Sequence, residues 1–424
     1  MSCGLRFASN VRAVRAVLPL TAVLLSVGAR AHAQTYTLST LAAFDNTTGS
    51  GPGGLTVAAN GDLYGATFGG GPSNNGSTIF KVAAGTNTLA TVATFDSLAG
   101  THVSGRLTQS GGDFYGVTSD GGLSSVGTLF RFTPGTNTVS TLYNFSYSGG
   151  FSPRSLLSVG GTLYGTTYFG GPNNQGTVFS FVPGTSTLTN IANFTNVGGQ
   201  NPNGNLIMDS SGNLYGTTEY GGSGQGTIFK IAVGTNTVTT LLNFNTTNGA
   251  NPHSGLTLDN SGNLYGTTYY GGANDLGTVF KLNTNTNAFT ILVSFNNTNG
   301  SNPNASLTLD AVGNLFGTTQ GITNGNGSVF KINTATNAFS TIAAFPVVDG
   351  GSPNGGFIAS PVTLDSGGNV YGTAYTGGAF NRGTIFKLTP SGVAAAPEPG
   401  TLLLFVPGIV GFAAFGQAKR SRRS

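Results

Sequence analysis

Seven times along the chain an aromatic-glycine pair is followed by a [Ser/Thr]-x-Phe signature, in most units with Gly directly in front of it. The pairs are Tyr64-Gly65, Tyr115-Gly116, Tyr164-Gly165, Tyr215-Gly216, Tyr265-Gly266, Phe316-Gly317 and Tyr371-Gly372, at successive offsets of 51, 49, 51, 50, 51 and 55 residues. A fixed period of this length marks tandem supersecondary units that bury their faces against one another. In the fifth unit the apolar runs are Leu256 to Asp259, Leu264 to Thr268, Thr278 to Leu282 and Ala288 to Phe295, separated by Asn260-Ser261-Gly262-Asn263, Gly271-Gly272 and residues 283–287. Short Thr- and aromatic-rich runs bounded by Gly, Asn and Asp are strands. No unit carries an amphipathic helical stripe, and 69 glycines oppose long helices. The pattern predicts an all-β, seven-bladed propeller with four-stranded blades.

The two ends of the repeat region are complementary. Thr37 to Phe44 matches the last strand of a unit, such as Asn236 to Phe244, whereas the seventh unit stops after Leu388 and lacks that strand. The N-terminal strand is therefore expected to complete the final blade and remove an open edge.

Outside the repeats, residues 1–33 run from Arg6, Arg12 and Arg15 through the apolar Ala16 to Val27 stretch to Ala31-His32-Ala33. This is the layout of a secretory signal peptide, with an apolar helix and a small-residue cleavage site before Gln34. In residues 393–424, Pro397-Glu398-Pro399 precedes an apolar segment from Thr401 to Gly416, expected to be helical, and then Lys419, Arg420, Arg422 and Arg423. Sixteen helical residues span only about 24 Å of a hydrocarbon core near 30 Å. Two readings stand: a short membrane anchor with a positive-inside flank, or a processed sorting signal.

The Pro-Glu-Pro motif, apolar segment and terminal arginines resemble the PEP-CTERM sorting tail that bacterial exosortases process. The repeat, with Gly-Asn-Leu-Tyr-Gly-Thr-Thr, Gly-Gly and Gly-Thr-Val-Phe-Lys, resembles the GloVer tandem repeat of surface proteins, and does so from residue 35 to about 390. Mild departures occur at Ala66 in unit one and at Phe316 and Gly321-Ile322 in unit six. These resemblances imply an exported propeller at the cell envelope or in the extracellular matrix, handled by signal peptidase and an exosortase-type enzyme. They transfer no catalytic residues.

The formal charge of +4 misleads, because eight of the 17 basic residues lie in the two terminal segments. Residues 34–392 hold nine basic and twelve acidic residues, so the basic balance of the whole chain is no argument for nucleic acid. The one cysteine, Cys3, falls in the leader, which leaves the repeats without disulfides, thiolate metal sites or a cysteine nucleophile. No phosphate loop, nucleophile elbow or zinc-protease motif is present, and Gly49-Ser50-Gly51-Pro52-Gly53-Gly54 matches a dinucleotide fingerprint only formally. No cofactor or metal is expected.

Asp209, Asp259, Asp310 and Asp365 share one repeat position that opens an Asp-x-x-Gly-Asn turn, a backbone-bonding role. Glu219 is the lone glutamate of the repeats, standing where other units have Phe68, Ser119, Tyr168, Tyr269, Gln320 and Tyr375, and no partner for it is evident in the sequence. His102 and His253 read as surface histidines about three blades apart, too far for one metal. The recurring Lys81, Lys230, Lys281, Lys331 and Lys387 read as a solvated ladder beside buried phenylalanines.

Ligand sites on propellers are expected on one loop face or at the channel mouth. Blade-linking and Gly-Gly loops would collect Asn201, Asn251, Asn302, Tyr168, Glu219, Tyr220, His253, Tyr269, Tyr270, Asp275 and Arg382 on such a face. Aromatic rings beside amides suit sugars, so Glu219, Tyr220, His253, Tyr269, Tyr270 and Asp275 form a candidate glycan-binding set. A rigid interaction platform, binding extracellular polysaccharide or other surface proteins, is the leading expectation. The alternative is a carbohydrate-active hydrolase or lyase using Glu219 or a loop aspartate.

Overall fold

The computed structural model describes residues 34–71, 76–323, 325–346, 358 and 360–391. Within Thr35–Gly392, one compact unit, the strands form seven antiparallel sheets arranged as the blades of a propeller. The expected leader and tail helices, and the motif residues Pro397, Glu398, Pro399, Arg420, Arg422 and Arg423, lie outside the described residues.

Blade 5 shows the pattern, with Thr257–Leu258, Asn263–Thr268, Thr278–Asn283 and Phe289–Ser294 in sequential order. The first strand borders a central channel, and successive hairpins carry the sheet outwards. Blades 1 and 4 add the short strands Ser50–Pro52 and Gln200–Pro202. In blade 7, Thr363–Leu364, Val370–Ala374 and Thr384–Ser391 are completed by Thr35–Ala43, paired antiparallel from Thr35 opposite Ser391 to Ala43 opposite Thr384. The N-terminal strand thus closes the ring as its sequence match requires.

The signature residues are explained by one contact. In every blade the glycine of the aromatic-glycine pair faces the third-strand phenylalanine directly across the hairpin, as Gly266 faces Phe280. A Cβ on that glycine would lie 2.3–2.6 Å from the Cζ of the ring in all seven blades, so a side chain there would displace the phenylalanine. The buried ring then receives, edge-on or tilted, the phenylalanine that ends the outer strand of the preceding blade. Phe95 meets Phe130, Phe244 meets Phe280 and Phe345 meets Phe386 at centroid distances of 4.8, 5.2 and 4.9 Å. Phe44 of the N-terminal segment does the same to Phe80 at 4.9 Å, so the closing seam repeats the interior ones.

Many of the threonines buried inside the blades are paired. Thr218 and Thr227 are fully buried, with their hydroxyls 2.8 Å apart, and the Thr227 amide also donates to Thr218 Oγ1. Corresponding pairs recur in blades 1 to 6, from Thr67 and Thr78 to Thr319 and Ser328. Nearer the axis, the hydroxyls of Thr56, Thr108, Thr257 and Thr308 each donate to a first-strand or adjoining carbonyl of the next blade, at 2.5–2.8 Å.

The aspartate turns are also structural. Asp259 Oδ1 accepts from the Ser261 and Asn263 amides, and Oδ2 accepts from Asn263 Nδ2 and the Tyr265 hydroxyl. Lys230, Lys331 and Lys387 extend over the aromatic rings directly opposite them at 5.5–5.6 Å, the ladder expected from alternation, and none of them lines the channel.

Candidate binding site at the channel mouth

Two variable repeat positions meet between neighbouring blades. One follows the loop proline that leads into the first strand and reads Arg154, Asn203, His253 and Asn304 in blades 3 to 6. The other lies just beyond the second-strand threonines and reads Tyr168, Glu219, Tyr269 and Gln320. Because the scaffold around them repeats, equivalent atoms of neighbouring blades are brought side by side at one end of the channel.

The centre of this arc is Glu219, only 7% exposed. Its Oε2 accepts hydrogen bonds from the Tyr168 hydroxyl of blade 3 at 2.9 Å and from Asn203 Nδ2 at 3.1 Å. Its Oε1 lies 3.3 Å from His253 Nε2 of blade 5. His253 Nδ1 in turn faces Asn304 Oδ1 of blade 6 at 3.0 Å, and the imidazole stacks on Tyr269 at 4.7 Å. The Tyr269 hydroxyl donates to Gln320 Oε1 at 2.9 Å, and the Arg154 guanidinium covers Tyr168 at 4.4 Å. Side chains from four consecutive blades therefore form one connected polar and aromatic arc.

The electrostatics follow from these contacts. Burial opposes ionisation of Glu219, but the His253 contact, followed by the Tyr220 and Tyr168 hydroxyls, holds its carboxyl below the ordinary range. Burial and the adjacent carboxylate push the Tyr168 phenol up. Beside the arc, Tyr220 and Tyr270 stand 40% and 45% exposed, offering ring surface to solvent.

Several expectations are corrected. Glu219 has a partner, since blade-to-blade packing brings His253 to it across 34 positions of sequence, and His253 is a partly enclosed member of the arc rather than a simple surface residue. Asn201, Asn251 and Asn302 are staples, their amides donating to the backbone carbonyls of Tyr168, Glu219 and Tyr269 in the preceding blade. Asp275 caps its own loop by accepting from the Gly271 amide, a role taken by Asn174 and Asn381 in other blades, and it does not join the arc. His102 contacts Asp120 at 3.0 Å and stacks on Phe68 at 4.4 Å, a separate pairing. Asn203, Asn304, Gln320 and Arg154 were not in the candidate set. Among the described residues no group of three His, Cys, Asp or Glu is placed to hold a metal.

Solved structures of similar fold include the extracellular domain of a one component system from B. thetaiotaomicron, at 13% identity and TM-score 0.55, covering 83% of this chain and 40% of that one. A chain of a mitotic checkpoint complex aligns at 13% identity and TM-score 0.56, covering 92% of this chain and 99% of that one. A puromycin-hydrolyzing peptidase of Mycobacterium tuberculosis aligns at 10% identity and TM-score 0.50, covering 77% of this chain and 50% of that one. This chain thus spans about two-fifths of the B. thetaiotaomicron domain, and at such identities the likeness is one of fold alone. No curated protein matches the sequence. The Gloeobacter/Verrucomicrobia repeat matches residues 29–159 and 154–364, and the chain belongs to that repeat family.

Proposed function

We propose that the protein is an exported, non-enzymatic interaction protein of the cell envelope or extracellular matrix, whose propeller binds glycan at the channel mouth. The observation that carries this reading is the arc centred on Glu219, where carboxylate, amide and imidazole groups are fixed beside the exposed rings of Tyr220 and Tyr270. Sugar rings stack their apolar faces on aromatic side chains while their hydroxyls bond to such polar groups. A site whose geometry is fixed by four blades loses little conformational freedom on binding.

In this reading residues 1–33 are removed on export, residues 34–392 act as the platform, and residues 393–424 direct sorting and are handled by an exosortase-type enzyme. Mass spectrometry of the mature chain is expected to find Gln34 at its N-terminus. A chain kept whole in the cytoplasm would refute export.

The carbohydrate-active alternative asks Glu219 to act as an acid or base. Four side chains contact this carboxyl and favour its ionised form, which suits binding better than proton donation. The test is a glycan array and matrix-polysaccharide pull-down with residues 34–392, repeated with Tyr220→Ala and Tyr270→Ala. Binding that each substitution weakens at least about tenfold is expected, given the share of stacking in such sites. Absence of any glycan binding sinks the proposal, whereas polysaccharide cleavage lost in Glu219→Gln would replace it with the enzymatic reading.

A further inference from the structure

We infer that the central channel binds the carboxylate of an acidic sugar through Arg106 and Arg154, a deepening that rests on the glycan reading above. The channel encloses about 830 Å³ and is lined by residues from all seven blades. That volume falls within the roughly 300–1,000 Å³ of small-ligand pockets.

The charge of its wall is one-sided. Its described lining includes Arg106 and Arg154 but no aspartate or glutamate. This occurs in a repeat region where acidic residues outnumber basic ones twelve to nine, so the cationic interior does not mirror the whole. Gly105 brings the first strands of blades 2 and 3 together, for a Cβ there would stand 2.9 Å from the Arg154 carbonyl oxygen. The two arginines consequently occupy neighbouring strands of one wall.

Neither guanidinium has a carboxylate within ion-pairing distance among the described residues. Arg106 is exposed to the channel, yet the surrounding protein disfavours its charge enough to push its pKa down. Arg154 is held against Tyr168, and its Nε and the neighbouring Ser155 Oγ are both buried without a hydrogen-bond partner among the described residues. Desolvated charge is costly in a folded protein, and an anionic group seated in the channel beside the exposed Arg106 would offset that cost. A carboxylate suits the planar fork of an arginine, and the lining amides of Gln109 and Asn203 could take sugar hydroxyls beside it.

The experiment titrates the full-length chain, by calorimetry, with galacturonate oligomers, galactose oligomers of equal length, and free glucuronate. Arg106→Gln and Arg154→Gln are measured beside it, with melting curves to confirm folding. The Arg106 side chain joins no ion pair among the described residues and faces the channel, so its variant is expected to stay folded. The inference predicts acidic oligomers binding at least about tenfold tighter than neutral ones, a comparable loss in Arg106→Gln, and weakening with added salt.

Equal binding of acidic and neutral oligomers would overturn the channel site while leaving the glycan reading intact. Unchanged affinity in a folded Arg106→Gln would do the same. Glucuronate binding that needs Arg106, without binding of either oligomer, would keep the anion site and overturn the polysaccharide reading. No binding by any probe would overturn the channel site, while the glycan reading stands or falls on the array.

Discussion

Replacing Phe44 by alanine tests whether the N-terminal strand bears load like an interior strand. Phe44 is completely buried and meets Phe80 edge-on at 4.9 Å and 73°. Its backbone amide donates to the Gly383 carbonyl at 2.9 Å, a bond that the substitution leaves in place. The loss is therefore that of a core ring, about 3–5 kcal/mol, of which the aromatic pair supplies about 0.5–1.5 kcal/mol. For a cooperative unit of roughly 360 residues this lowers Tm by about 4–7 °C. Phe244→Ala is the internal control, because Phe244 is equally buried and meets Phe280 at 5.2 Å in an uninterrupted part of the chain. Urea unfolding and calorimetry should place the two variants within about 1 kcal/mol of each other, the scale of context effects at equivalent core sites. If Phe44→Ala shifted Tm by less than about 1 °C while Phe244→Ala lost the full amount, the closure argument would be wrong. Deleting residues 35–45 should cost more than Phe44→Ala and expose the edge of Thr384–Ser391, seen as concentration-dependent association.

Gly216→Ala should cost about 1–3 kcal/mol in urea unfolding, because its Cβ would sit 2.6 Å from Cζ of the fully buried Phe229; a neutral result would show that the ring can move. Thr218→Val removes a hydroxyl bonded to Thr227 and to the Tyr220 carbonyl, and should cost about 1–3 kcal/mol; a stabilised variant would show that the pair is not needed. Tyr215, Tyr265 and Tyr371 titrate at about 12 rather than 10.0, through burial and their bonded aspartates. Their contribution is complete below the unfolded pKa near 10 and is lost as pH rises through the folded value near 12, because the unfolded chain releases these protons first. Tm should therefore fall between pH 10 and 12, and a flat profile there, or normal titration of all 14 tyrosines, would contradict the assignment.

Much of the architecture was legible because blade packing is written in residues with few substitutes. A third-strand phenylalanine requires a glycine opposite it, and Tyr265 hydroxyl with Asp259 fixes the preceding turn. The missing last strand of unit seven pointed to Thr37–Phe44 for the same reason. The site was harder to read because its contacts run between blades. Glu219 is the one glutamate of the repeats, yet it touches Tyr168 and His253 from the blades on either side. The asparagines before the loop prolines looked like ligand groups, but their amides are consumed by backbone carbonyls. Arg154, Asn203, His253 and Asn304 share the position after the loop proline, but the next positions vary as well, so variation along the chain does not single them out.

The pairing of Thr35 with Ser391 makes the numerical origin of the ring arbitrary. Their hydroxyls are 2.6 Å apart, so a short linker could join these ends and fresh termini could be cut elsewhere. A circularly permuted chain opened in the loop around Gly198, between the last strand of blade 3 and the first of blade 4, would then carry no split blade, and it should regain the same seams. Such rings can be reordered without being redesigned, which sets them apart from folds whose first and last elements lie far apart.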